Sequence, residues 1–185
     1  MTIILETQRL ILRPFRDADL EPFMAYRSDP LISRYQGWEL PYTRQMALDF
    51  IEEMKTAEPG NRWHWYQFAL ELKLDAVMIG DCGFHLLETD RRQAEIGFTI
   101  ARRYHGLGYG REAVVRVLDY LFEEMELHRV QATCDPENLS SVRLLEHVGL
   151  RREGHFIENY WSRDHWSDEY WYAALRREWV KRKPI

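Results

Sequence analysis

Apolar residues recur every three or four positions from Ala113 onward, where Ala113, Val114, Val117, Leu118, Leu121, Phe122 and Met125 line up as one stripe. That spacing predicts an amphipathic helix of about four turns. Two shorter stripes precede it. Leu20, Phe23 and Met24 follow an N-cap at Asp17 and stop at Asp29-Pro30, and Met46, Ala47, Phe50, Ile51 and Met54 follow an N-cap at Thr43 and end near Pro59-Gly60. Period-two patterns lie between them. Leu10 and Leu12 alternate with Arg9 and Arg13 as in a half-buried strand. Segments 63–72 and 77–86 read as two strands joined by a turn at Lys73-Leu74-Asp75, and 95–100 as a third. Trp63 and Trp65 share a face of their strand, opposite His64, and are assigned to the core. The stretch 31–42 is irregular and aromatic. Beyond the long helix, 129–134 reads as a strand and 138–148 as a short helix, capped by Asn138 and closed by Gly149. Segments 151–161 and 168–175 then form a terminal hairpin, followed by a basic tail containing Lys181, Arg182 and Lys183.

Hairpin-type strands followed by a β-α-β-α-β-β order imply one mixed α/β sheet, and a single domain over residues 1–185. With 45% hydrophobic and 30% charged residues, the chain has the composition of a folded protein. No run approaches the roughly 18 apolar residues that span a bilayer. The start, MTIILETQRLILRPF, lacks a signal-peptide pattern because Glu6, Arg9 and Arg13 interrupt it. Cys82 and Cys134 sit in no metal or redox spacing, which suggests reduced thiols and a cytoplasmic protein. The histidines form no HxxxH or HxH pair, so no metal site is expected. A net charge of −5 argues against a nucleic-acid partner and suits a cationic small substrate, though solubility alone accounts for it.

Candidate chemistry centres on HGLGYGREA, residues 105–113. A strand, alternating glycines and a helix N-terminus make a phosphate cradle, because backbone N–H groups converge without Cβ obstruction where the helix dipole favours an anion. From Arg91 to Arg116 six arginines face two acids in a chain that is acidic overall. A plain surface turn is the competing interpretation. A Walker loop is excluded, since no Gly-Lys-Ser/Thr follows. A dinucleotide fingerprint would need glycine at position 111, which is Arg111.

The segments ETQRLILRPF, AEIGFTI, HGLGYGREA and NLSSVRLLEHVGLRREG resemble the GNAT superfamily of acetyl-CoA-dependent N-acetyltransferases, and within it the ribosomal-protein (RimJ/RimL-type) branch. Asn138-x-x-Ser141 and Glu146-x-x-Gly149 strengthen the resemblance, which runs over 6–175. It implies the GNAT fold, a mixed, mostly antiparallel twisted sheet flanked by helices. It also implies that acetyl-CoA is the co-substrate, its pyrophosphate held by backbone amides of His105, Gly106, Leu107, Gly108, Tyr109, Gly110 and Arg111. The strand around Phe98, Ile100 and Ala101 would pair with the pantetheine arm, and one of its amides would face the thioester oxygen. The family carries Gln or Arg where this chain has His105. Asn138 is either a helix cap or a cofactor contact, and Ser141 either a first-turn residue or the acid that protonates the thiolate.

Direct attack by an amine needs a proton acceptor. Glu95 is one candidate, alternatively a salt-bridge partner of Arg91 or Arg92. Glu158 is the other, sharing a strand face with Phe156 and Tyr160 by alternation, with Tyr160 as an alternative at that position. Aromatic residues Tyr35, Trp38, Tyr160 and Trp161 are assigned either to an acceptor pocket or to a homodimer contact. The implied acceptor is an amine on a small molecule or a protein N-terminus. A non-catalytic acyl-CoA-binding sensor is the alternative function.

Overall fold

The computed structural model describes residues 3–60, 64–162 and 164–181. Strands β1 (Leu5–Glu6) and β2 (Leu10–Arg13) open the chain, followed by helices α1 (Leu20–Arg27), α2 (Pro30–Ser33) and α3 (Arg44–Thr56). A meander of β3 (Tyr66–Leu72), β4 (Met78–Leu86) and β5 (Gln93–Ile100) leads into α4 (Tyr109–Asp119). Then come β6 (Arg129–Cys134), α5 (Leu139–His147), the hairpin β7 (Arg151–Ser162) and β8 (His165–Leu175), and α6 (Arg176–Trp179). The strands form one sheet in the order β1-β2-β3-β4-β5-β6-β8-β7, with antiparallel neighbours except at β5 and β6. No helix among the described residues is long and apolar enough to cross a membrane.

Each face of the sheet is covered because strand residues alternate sides. On one face Leu10, Leu12, Phe68, Phe84, Ile96 and Val130 pack under the α4 stripe of Ala113, Val114, Val117 and Leu118. On the other, Ala69 and Met78 meet Phe23 and Tyr26 of α1 and Ala47, Ile51 and Met54 of α3. Thr43 caps α3 as its spacing predicts, accepting from the Met46 N–H at 3.2 Å. A buried polar group joins α1 to β4: the Tyr26 hydroxyl and Arg27 both meet Asp81. Burial pushes the Asp81 carboxyl up, against the pull of Arg27 and Tyr26.

Several expectations need correction. Asp17 does not cap α1; it begins a 3₁₀ turn, Asp17–Asp19, and Asp19 points inward onto Arg13 at 2.7 Å. Arg13 is therefore not on a wet strand face, because helices cover both sides and Asp19 with Glu71 neutralise it at 7% exposure. The Asp29-Pro30 stop also starts α2, since Asp29 accepts from the Leu31 N–H at 3.0 Å and Pro30 suits a first helical position. The long helix keeps α geometry only to Asp119 and widens into a π-type turn over Tyr120–Glu124. Strand β3 begins at Tyr66, while Trp63, Arg163, Arg182 and Lys183 lie outside the described residues. Trp65 precedes β3 and packs half-buried on the His85 ring, 4.6 Å between centroids.

Candidate active site

The parallel pair β5/β6 holds together over only three rungs, Gln93↔Arg129, Ala94↔Val130 and Glu95↔Gln131. Past that point β5 stays paired with β4 as far as Ile100, and β6 with β8 as far as Cys134, but not with each other. The sheet thus opens into a wedge whose inner edges carry backbone N–H and C=O groups, and these groups demand partners. An extended ligand arm with amides of its own could supply them, as an added strand would.

The wedge leads into a cleft of ≈ 680 Å³, floored by Phe98, Thr99 and Ile100 and walled by the glycine loop and α5. That volume suits an organic ligand of drug size or larger. The loop takes its shape from Gly106 and Gly108, whose φ values of +75° and +83° favour glycine. Gly108 is also the N-cap of α4 and brings no capping side chain, so the first-turn N–H groups have no intrahelical acceptor, an arrangement that favours an anion. Gly110 lets α4 approach α5, because a Cβ there would stand 2.8 Å from Leu144 Cδ1. Arg111 and Arg143 line the cleft and make no ion pair among the described residues. His105 ties its Nε2 to the Ile100 carbonyl at 2.7 Å and so fastens the loop to the end of β5.

Asn138 and Ser141 also line the cleft, at the start of α5. Asn138 is the helix cap, its Oδ1 accepting from the Ser141 N–H at 3.2 Å, which leaves its Nδ2 donors for a ligand. Tyr35 joins the opposite rim with Leu31 and Gln36. Leu107, expected for its backbone amide, turns its side chain to solvent. Other expected residues are elsewhere: Ala101 closes the end of β5 with its N–H on the Ile79 carbonyl at 2.8 Å. Trp38 is not in the cleft: its ring covers Arg27, 3.7 Å from centroid to guanidinium carbon, and its Nε1 donates to the Arg27 carbonyl at 2.9 Å. Tyr160 and Trp161 are exposed on the hairpin, where Trp161 meets Trp166 edge-on at 5.3 Å.

The two candidate bases separate clearly. Glu95 does not bridge to Arg91 or Arg92, since Arg92 holds Asp90 and Arg91 donates to the Gly60 carbonyl. It stands at the vertex of the wedge, accepts from Gln131 Nε2 at 3.2 Å and has His85 Nε2 at 3.8 Å. Glu158 does not alternate with Phe156 and Tyr160. Between the pairs Phe156↔Glu169 and Tyr160↔Ser167 strand β7 bulges, and Glu158 sits in the bulge, exposed, at φ +46°. Burial pushes the Cys134 thiol up to about 12, helped by Asp135, Glu146 and Glu169, so no thiolate nucleophile is present there at neutral pH.

Sequence reasoning missed Arg102, Tyr104, Ser140 and His147, all in the cleft wall. The arginine run held a signal for Arg102. Residues 143 and 147, one turn apart on α5, held one for Arg143 and His147.

Residues 9–151 match the family model of an acetyltransferase (GNAT) domain. The chain is 30% identical over 180 residues to the uncharacterized N-acetyltransferase p20 of Bacillus licheniformis, covering 95% of this chain and 98% of that protein. The crystal structure of an acetyltransferase (GNAT family) from Bacillus anthracis superposes with a TM-score of 0.84 at 32% identity, over 95% of this chain and 99% of the other. Spermidine N-acetyltransferase from Vibrio cholerae, in complex with CoA and spermine, shares the fold with a TM-score of 0.80 at 22% identity, over 95% of this chain and all (100%) of that one. The eight-stranded sheet flanked by helices is the fold of these neighbours.

Proposed function

This chain belongs to the GNAT family of acetyl-CoA-dependent acyltransferases, and we propose that it passes the acetyl group directly to an amine without an acyl-enzyme. The observation that carries this reading is the wedge between β5 and β6, which ends beside an uncapped helix N-terminus. Bound there, acetyl-CoA supplies an activated acyl group. Pyrophosphate fits the amides of the loop from His105 to Arg111, with Arg111 as a neighbouring cation. The pantetheine arm fits the free edge of β5 from Phe98 to Ile100. A β5 amide near Phe98 donates to the oxygen on which charge gathers during attack.

Glu95 takes the proton from the acceptor's ammonium, directly or through water, so that the free amine attacks the thioester carbonyl, and Ser141 donates a proton to the departing sulfur. Glu95 is chosen over Glu158 because it stands at the wedge and Glu158 does not. A protein N-terminal α-amine is the favoured acceptor, from the RimJ/RimL-type motifs, ahead of a polyamine, an aminoglycoside or another small amine. An α-amine with a pKa near ~8 also asks less of a carboxylate base than a lysine-like amine near ~10.4. The free cysteines Cys82 and Cys134 support a cytoplasmic setting.

The test is thiol release from acetyl-CoA against peptides with free α-amines, spermidine, an aminoglycoside and free amino acids, beside calorimetric titration of CoA. Turnover on one class identifies the acceptor. CoA binding without turnover on any of them favours the sensor, and no binding refutes the site.

A further inference from the structure

We propose that Arg9, at the entry to β2, is a positioning residue that sets the glycine loop for phosphate binding. The proposal rests on the reading of that loop as the pyrophosphate site. Arg9 is remote in sequence and does not line the cleft, yet it reaches the loop from behind. Its Nη1 donates to the Leu107 carbonyl at 2.9 Å and its Nε to Glu112 Oε2 at 2.6 Å. Its own backbone N–H donates to Glu112 Oε1 at 2.7 Å, which also receives the Thr7 hydroxyl at 2.5 Å. The guanidinium lies 4.3 Å from the centroid of the Tyr109 ring.

Two consequences follow from elementary geometry and charge. A trans peptide is planar, with its C=O and N–H pointing in opposite directions. Drawing the Leu107 carbonyl outward to Arg9 therefore turns the Gly108 N–H the other way, toward the cleft that Gly108 lines. The second concerns Glu112, a carboxylate in the first turn of α4, where it would repel a phosphate at the same helix end. Arg9 cancels that charge and, with Thr7, holds it on the outer side. The same guanidinium thus orients a donor and removes a repulsion. A side chain at Gly108 would disturb it as well, since a Cβ there stands 3.3 Å from Arg9 Nη2.

The experiment compares wild type, R9A, R9K and the double variant R9A/E112Q by calorimetric titration of CoA, by competition with S-acetylpantetheine, and by thermal melting. Losing a hydrogen bond to a charged group corresponds to a roughly 10- to 100-fold rise in the CoA Kd for R9A. S-acetylpantetheine carries no pyrophosphate and should bind R9A as it binds wild type. The double variant should recover part of the loss, because the uncancelled carboxylate is gone. R9K keeps the charge without the fork and should fall between wild type and R9A. A merely structural Arg9 would weaken both ligands alike, or neither, and would overturn the proposal. Should R9A not fold, R9K carries the test, and wild-type CoA affinity in R9K refutes the brace. A wild-type chain that binds no CoA refutes the loop reading, and the brace with it; normal wild-type binding with an unaffected R9A refutes the brace alone.

Discussion

Asn138 serves the start of α5 and borders the cleft, and two substitutions pull these roles apart. Its Oδ1 takes the Ser141 N–H at 3.2 Å. Asn138→Ala removes that cap, a loss of about 1 kcal/mol, and should lower the melting temperature by about 2–4 °C for a chain of this size. Asn138→Asp keeps the acceptor and adds a negative charge at a helix N-terminus, worth about 0.3–1 kcal/mol, so its melting temperature should hold or rise. Ligand binding should move the opposite way. If the pyrophosphate sits in the cleft that Asn138 lines, a carboxylate about one Debye length away, roughly 10 Å, contributes about 1–2 kcal/mol of repulsion at an effective dielectric near 20. The CoA Kd of Asn138→Asp should then rise about 5- to 30-fold, with a smaller rise for Asn138→Ala. Differential scanning fluorimetry and calorimetric titration of CoA read the two effects separately. An Asn138→Asp protein that melts like wild type and binds CoA like wild type would refute any ligand role for this side chain.

Ser141→Ala should lower turnover by roughly 10-fold or more with little change in acetyl-CoA affinity; equal loss of both, measured by steady-state kinetics, would mark a structural hydroxyl. Glu95→Gln should depress kcat by a similar factor, about 10-fold or more, whereas Glu158→Gln should leave it unchanged; the reverse pattern would move the proton acceptor to the hairpin. A Cβ at Gly80 would strike the Thr99 carbonyl and lie 3.0 Å from Ile100 Cα. Because both obstacles are backbone, Gly80→Ala should destabilise the protein by about 2–3 kcal/mol in a denaturant melt and loosen the cleft floor.

Features written in local spacing were readable from the chain alone. The α4 stripe, the Thr43 and Asn138 caps and the alternating glycines each depend on residues a few positions apart, and each lies where its pattern put it. What escaped depends on how separate elements pack, which local spacing does not carry. Arg13 looked wet until Asp19 and Glu71 were brought around it, and Trp38 looked like a ligand contact until Arg27 was found beneath its ring. Glu158 was misplaced for another reason. Period-two alternation fails at a bulge, and a non-glycine residue at positive φ leaves no mark in the sequence that announces it. The cleft wall contributed by Tyr35 and Leu31 was half-seen, because the short helix that carries Leu31, and leads into the turn that carries Tyr35, begins at the very proline taken as a stop.

The gap between β5 and β6 also links the stability of the protein to whatever fills it. If the ligand arm completes the sheet, the folded state gains about 2.7 kcal/mol when the ligand is present at 100 times its dissociation constant. For a chain of this length that is a rise of about 5–11 °C in melting temperature. Proteolysis that proceeds through transiently opened molecules slows in proportion.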